Sequence, residues 1–166
     1  MLLQDLDRAI RAEIMVNASI AEVWDAWTTN EGIKSFFAPG GNVELRIDGP
    51  YQVYFDPEGE AGLKGADDMI VLAYQPEKML SFTWNAPPHL PNVRPQRTHV
   101  VVRLVPQENG RVLVTLCHDG WGEGDEWDQA FDYFVRAWQK TVLPRLRYRF
   151  EHGPVDWNDL PQLDEE

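Results

Sequence analysis

The chain has 166 residues, 43% of them hydrophobic and 25% charged, enough for one globular domain with a real core. Its formal charge of -12 and pI near 4.7 argue against nucleic-acid or anionic-membrane partners, whose affinity is drawn from Lys and Arg. A lone cysteine, Cys117, excludes an internal disulfide or a multi-cysteine metal cluster.

Residues 8 to 17 alternate Ile10, Ala12, Ile14 and Val16 against polar neighbours, the two-residue period of a half-buried strand. Ser19 with Glu22 three positions on forms a capping box, and the helix that follows buries Ile20, Val23 and Trp27. Asn30 is expected to cap a second short helix through Phe36 and Phe37, which Pro39-Gly40-Gly41 ends.

A meander follows. Val43, Leu45 and Ile47 alternate up to a hairpin signal at Asp48-Gly49, and Tyr51, Val53 and Phe55 alternate away from it. A glycine-rich loop from Pro57 to Gly65 leads to a strand at roughly 67–75, and Gln75-Pro76-Glu77-Lys78 turns into Met79 to Asn85. Leu80, Phe82 and Trp84 share one face there. The run 86–95 holds four prolines and is read as a long loop and a candidate lid.

Two more strands, Thr98 to Val105 and Arg111 to His118, are joined at Asn109-Gly110. The final helix runs from about Glu123 to Phe150 and sets Trp127, Phe131, Phe134 and Trp138 on one stripe, at spacings of four, three and four. Pro144 should kink or interrupt it, and Arg145, Arg147 and Arg149 suit its C-terminal dipole. Beyond Arg149 come Asp156, Asp159, Asp164, Glu165 and Glu166, read as a solvated, mobile tail. The expected division is a single domain over 1–152 and an acidic tail over 153–166.

The run Ala18-Ser19-Ile20-Ala21-Glu22-Val23-Trp24-Asp25-Ala26-Trp27-Thr28 resembles the opening signature of the START-like (SRPBCC) superfamily. Three later pieces agree in order with its branch named after the activator of the heat-shock-protein-90 ATPase: Ile47 to Tyr51, Pro76 to Trp84, and Val114 to Trp121. The resemblance spans roughly residues 8–150. It implies an α+β helix-grip fold, in which a curved antiparallel sheet of about six to seven strands grips a long C-terminal helix around an apolar cavity, with two short helices near the N-terminus. It implies no fixed catalytic set, because this fold hosts lipid carriers, hormone receptors, cyclases, stress proteins and co-chaperone domains. Pro144 and the long Pro-rich loop depart from the pattern, and both fall near the expected cavity mouth.

Little in the sequence demands chemistry. His89, His99, His118 and His152 lack helical metal-ligand spacing, so no metal is expected. No nucleophile elbow, GxGxxG or Walker loop occurs, so no cofactor is expected either, and Cys117 reads as an inert thiol. His118 is the one titratable candidate. It is either a structural tie between strand end and last helix, or a polar anchor or acid/base facing a ligand.

Seven tryptophans are too many for core filling alone, because each buried indole N–H needs a partner. The expected cavity is lined by Trp27, Tyr74, Phe82, Trp84, His118, Trp121, Phe131, Phe134 and Trp138. An empty cavity of ~300 Å³ would cost on the order of 7 kcal/mol, so either the rings collapse to fill the grip or water or a ligand occupies it. The leading function is therefore binding of a small hydrophobic molecule by a cytoplasmic protein without membrane insertion, the location resting on cysteine usage and on Asp5, Asp7 and Arg8 where a signal core would lie. The rivals are a surface acting on a chaperone partner, with His89, Leu90 and Val93 as its patch, and a cyclase- or hydrolase-type enzyme using His118 with Asp119 or Glu123. A homodimer is compatible with either binding reading.

Overall fold

The computed structural model describes residues 8–163, which leaves Asp5, Asp7, Asp164, Glu165 and Glu166 outside the described residues. Strand β1 (Ile10–Val16) leads into helix α1 (Ile20–Thr28) and helix α2 (Asn30–Phe36). Seven strands are present among the described residues: β2 (Gly40–Val43), β3 (Tyr51–Tyr54), β4 (Val71–Gln75), β5 (Met79–Trp84), β6 (Thr98–Pro106) and β7 (Val112–Asp119) follow β1. Helical structure then runs from Asp125 to His152 as α3 (Asp125–Arg136), a π-helical segment (Ala137–Val142) and α4 (Leu143–His152).

The strands form a five-stranded antiparallel sheet in the order β1-β7-β6-β5-β4 and a two-stranded sheet of β2 and β3. The backbone stitches the two together: Tyr51 N–H donates to Met69 O at 2.8 Å and Ala66 N–H to Val53 O at 2.8 Å. The result is the α+β grip that the resemblance implies. β7 alternates buried and half-buried residues along its whole length, so Val112, Val114, Leu116 and His118 face the helix.

Local chemistry explains the starts and stops. Ser19 Oγ accepts from Glu22 N–H and the Glu22 carboxylate accepts from Ser19 N–H, each at 3.2 Å, which closes the capping box. The second helix is capped by Thr29, whose hydroxyl accepts from Gly32 N–H at 2.9 Å, rather than by Asn30. Asn30 instead accepts from Val43 N–H at 2.7 Å and ties α2 to β2. Leu45 and Ile47 do not extend β2, because Asp48 N–H is drawn to Val71 O and the segment arches over towards β4. In the β6–β7 turn Asn109 and Gly110 both take positive φ, 66° and 72°, as the Asn-Gly pair requires.

Pro144 does not break the helix. The chain inserts one extra residue just upstream as a π turn, with Leu143 N–H bonded to Trp138 O, and Pro144 falls in the first turn of α4. The extra residue turns the buried stripe, which passes from Trp127, Ala130, Phe134 and Trp138 to Val142, Leu143 and Leu146. No helix among the described residues is long and apolar enough to cross a membrane.

Two segments read as loose are tied down. Beyond α4, Val155 is buried with its N–H on Ser35 O, and Trp157 Nε1 donates to Lys34 O at 2.7 Å, so residues 155–157 dock on α2. In the Pro-rich loop Leu90 and Val93 are each only 3% exposed, so they anchor the loop and do not form an exposed patch. Glu126 accepts from the Asn92 backbone and carboxamide at 2.8 and 2.7 Å, while Arg94 donates to the carbonyls of Ala86, Gly62 and Gly65 and to Asp67. One guanidinium thus joins the loop to the 62–67 turn. Arg94→Ala should speed limited proteolysis within 86–97 several-fold while the rest of the domain stays resistant, and an unchanged cleavage rate would show that the buried Leu90 and Val93 suffice.

Candidate functional site

Three elements bring aromatic rings to one place. The two-residue period of β5 points Phe82 and Trp84 towards the helix, the helical stripe brings Phe134 and Trp138, and the end of α2 brings Phe36 and Phe37. Trp84 lies 5.5 Å from Phe37, 5.5 Å from Phe82 and 5.6 Å from Trp138, and Phe37 lies 5.8 Å from Trp138. The rings therefore fill the deep part of the grip.

His118 sits at the edge of this cluster, fully buried, with Trp121, Phe134 and Trp138 around its ring at 4.3, 5.1 and 6.0 Å. Its hydrogen bonds can have only one direction. An indole nitrogen can only donate, so Trp138 Nε1–H, 3.0 Å away, makes Nδ1 of His118 an acceptor. The proton of the neutral ring is then on Nε2 and is donated to Thr98 Oγ1 at 2.6 Å, whose own hydroxyl proton goes to Trp84 O at 3.3 Å. Trp121 Nε1–H meanwhile donates to the His118 carbonyl at 3.0 Å. Burial, with a smaller contribution from His99, holds the imidazole down to a pKa of about 3. Both ring nitrogens are thus engaged within the protein, and neither is open to a substrate proton. The ring bolts β7 to β6 and to the last helix.

The open space lies at one end of the grip. A cleft of about 520 Å³ runs between the helix and the tip of β3, with Phe37, Trp84, Phe134 and Trp138 as its floor. Five of the six residues of the π segment line it: Ala137, Trp138, Lys140, Thr141 and Val142. Phe55 and Tyr133, 46% and 37% exposed, stand at its lip. Beyond Phe55, Tyr133 and Phe134 lies a smaller recess of about 280 Å³, under the Pro-rich loop. Arg136, Lys140 and Arg145 also reach the main cleft from the helix side.

Of the nine residues expected at a cavity, Trp84, Phe134 and Trp138 line this cleft. Trp27 is buried behind it against Phe36 and Phe37, its carbonyl accepting from Tyr51 Oη at 2.7 Å. Phe82 is stacked on Tyr51 at 4.1 Å, and Tyr74 pairs with Leu80, about 13 Å along β5 from Trp84. Trp121 and Phe131 pack on one another at 5.3 Å on the far side of His118. The sequence reading missed Phe37, Phe55, Tyr133 and the three cations as cleft residues. Phe55 was legible only as one face of a strand, and the π turn shifts the helical phase of the residues that follow Trp138.

The family model of "Activator of Hsp90 ATPase homolog 1-like protein" matches residues 17–151. No curated protein matches the chain. Among solved structures, a Mesorhizobium loti protein superposes with a TM-score of 0.64 at 21% identity, over 87% of this chain and 94% of its own. The solution structure of the Aha1 dimer from Colwellia psychrerythraea superposes at 0.55 and 18% identity, over 87% of this chain and 97% of its own. An HSP90 activator from Plasmodium falciparum superposes at 0.60 and 11% identity, over 81% and 90%. At these identities the structural likeness is one of fold. The match of the family model over most of the chain goes further: this protein belongs to the activator of Hsp90 ATPase homolog 1-like family of START-like (SRPBCC) domains.

Proposed function

We propose that the protein is a cytoplasmic binding protein that takes a small hydrophobic or aromatic molecule into the cleft between its sheet and its C-terminal helix. The observation that carries this reading is the π segment, which gives five of its six residues to an apolar cleft of about 520 Å³. A π turn is a costly irregularity that recurs at functional sites, and the volume lies within the ~300–1,000 Å³ usual for small-molecule pockets. Exposed Phe55 and Tyr133 at the lip supply the apolar entrance such a ligand needs. Since the deep grip is filled by rings, the ligand rests on Trp84 and Trp138 and does not penetrate between sheet and helix.

The reading is tested by filling the cleft. Ala137→Trp is expected to abolish the fluorescence enhancement of the neutral dye phenylnaphthylamine, while the melting temperature stays within a few degrees of the parent. Retention of the signal in a folded variant would place the dye elsewhere and remove the case for this cleft. Ligands that do bind should also raise the melting temperature of the parent protein, because only the folded state holds the cleft.

The second reading is a protein partner of the chaperone type, supported by the names of the Colwellia and Plasmodium structures. Its surface is not the tip of the Pro-rich loop as first expected, since Leu90 and Val93 are buried. A rise in the ATPase rate of the large heat-shock chaperone on addition of this protein would favour it over small-molecule binding.

A further inference from the structure

We infer that the molecule this cleft accepts is an anion: an apolar, aromatic-sized frame carrying one negatively charged group, placed so that the frame lies on the ring floor and the charge meets the helix-side rim. The inference rests on the proposed binding role and goes beyond it in naming the charge. Its starting point is a contrast between the whole surface and one place on it. The chain carries 27 acidic and 15 basic residues, yet the cleft lining holds Arg136, Lys140 and Arg145 and no Asp or Glu. Three positive charges gathered against an apolar floor, on an otherwise acidic molecule, make a local potential that attracts anions and that the rest of the surface repels.

Among the described residues none of the three cations is neutralised by an ion pair. Among the described residues no carboxylate lies within ion-pair distance of Arg136, Lys140 or Arg145, although Arg8, Arg46 and Arg94 each have one. Arg145 is the most telling of them. Its guanidinium is set 5.2 Å over the Trp157 ring, and that indole is itself held by its hydrogen bond to Lys34 O. Its Nε is buried without a partner, and burial lowers its pKa with no acidic neighbour to offset the loss of hydration. An arginine so placed is pre-positioned, partly dehydrated and short of an acceptor. A carboxylate or sulfonate in the cleft accepts from the outer N–H groups of the guanidinium, in a geometry that a guanidinium favours, while the buried Nε fixes the side chain's position. The cleft thus divides into an apolar seat of Phe37, Trp84, Phe134 and Trp138 and a cationic clamp of Arg136, Lys140 and Arg145.

Two dyes with the same aromatic frame test this. Anilinonaphthalene sulfonate carries a sulfonate, and phenylnaphthylamine is its uncharged parent. Fluorescence titration of the parent protein at neutral pH and low salt should give a dissociation constant about tenfold or more lower for the sulfonate. Raising the salt should shrink that advantage. Lys140→Glu, at an exposed position, and Arg145→Gln should each bring the ratio of the two constants towards unity, with melting temperatures recorded to show that both variants fold. Equal affinities in the parent, or a ratio that survives both substitutions, overturns the anion inference while leaving the cleft as a binding site. Failure of both dyes to bind removes the binding role itself, and the inference with it.

Discussion

His118→Ala is expected to lower the unfolding free energy by about 3–5 kcal/mol, a large share of the ~5–15 that holds a domain of this size. Two losses combine. Removing a fully buried ring leaves a void among Trp121, Phe134 and Trp138, which backbone relaxation fills only in part. It also leaves Trp138 Nε1–H, one of the most deeply buried polar groups in the molecule, with no acceptor. Urea unfolding followed by tryptophan fluorescence measures the sum. His118→Gln separates the terms, since a carboxamide can accept from Trp138 and donate to Thr98, and it should restore roughly half of the loss. If alanine costs less than ~1 kcal/mol, the hydrogen-bonded chain from Trp138 through His118 and Thr98 to Trp84 is not what locks the helix to the sheet.

The same residue shows how far sequence carries in this molecule. The alternation of Val114, Leu116 and His118 was enough to turn the histidine towards the helix, because a strand has a fixed period of two and β7 keeps it without a bulge. Its role was not legible, since the partners that fix its tautomer come from Trp138 and Thr98, each 20 residues away. The capping box at Ser19 was readable because all its atoms lie within four residues. The cap of α2 was not, because Thr29 and Asn30 are both good caps and only the long-range demand of Val43 N–H takes Asn30 away. Leu90 and Val93 sit in a run with no period to read, and the ties that hold the run down are long-range, Arg94 reaching from it to the 62–67 turn and Glu126 reaching to it from α3. The cleft was half legible for a related reason. Trp84, Phe134 and Trp138 follow from strand and helical periods, whereas Phe37 lies just past the end of α2 and Lys140 and Arg145 are placed by a π turn that leaves no mark in the spacing of apolar residues.

Stability should fall on mild acidification, and the loss should belong to His118. The sign follows from the two protonation states. The unfolded chain takes up a proton near the ordinary imidazole value of 6.5, whereas the folded ring resists it down to about 3. Between those values the unfolded state binds more protons, so unfolding becomes easier as pH falls. The stabilisation is whole above 6.5 and drains away towards about 3, where the total loss approaches about 4 kcal/mol. Other groups work differently in the upper part of that window. A chain of charge -12 and pI near 4.7 sheds net negative charge on the way down, which relieves self-repulsion and favours the folded state. Glu22, held low by the Ser19 hydroxyl and backbone, gives up its contribution only as pH falls below its ordinary value of 4.5. A decline between pH 6.5 and 4.7 is therefore specific to the buried imidazole. Urea midpoints of the parent should drop across that range, and those of His118→Gln, which has nothing to titrate there, should hold or rise. A parent curve parallel to that of the glutamine variant would mean that the buried ring accepts its proton readily, and Nδ1 could not then be the acceptor of the Trp138 indole.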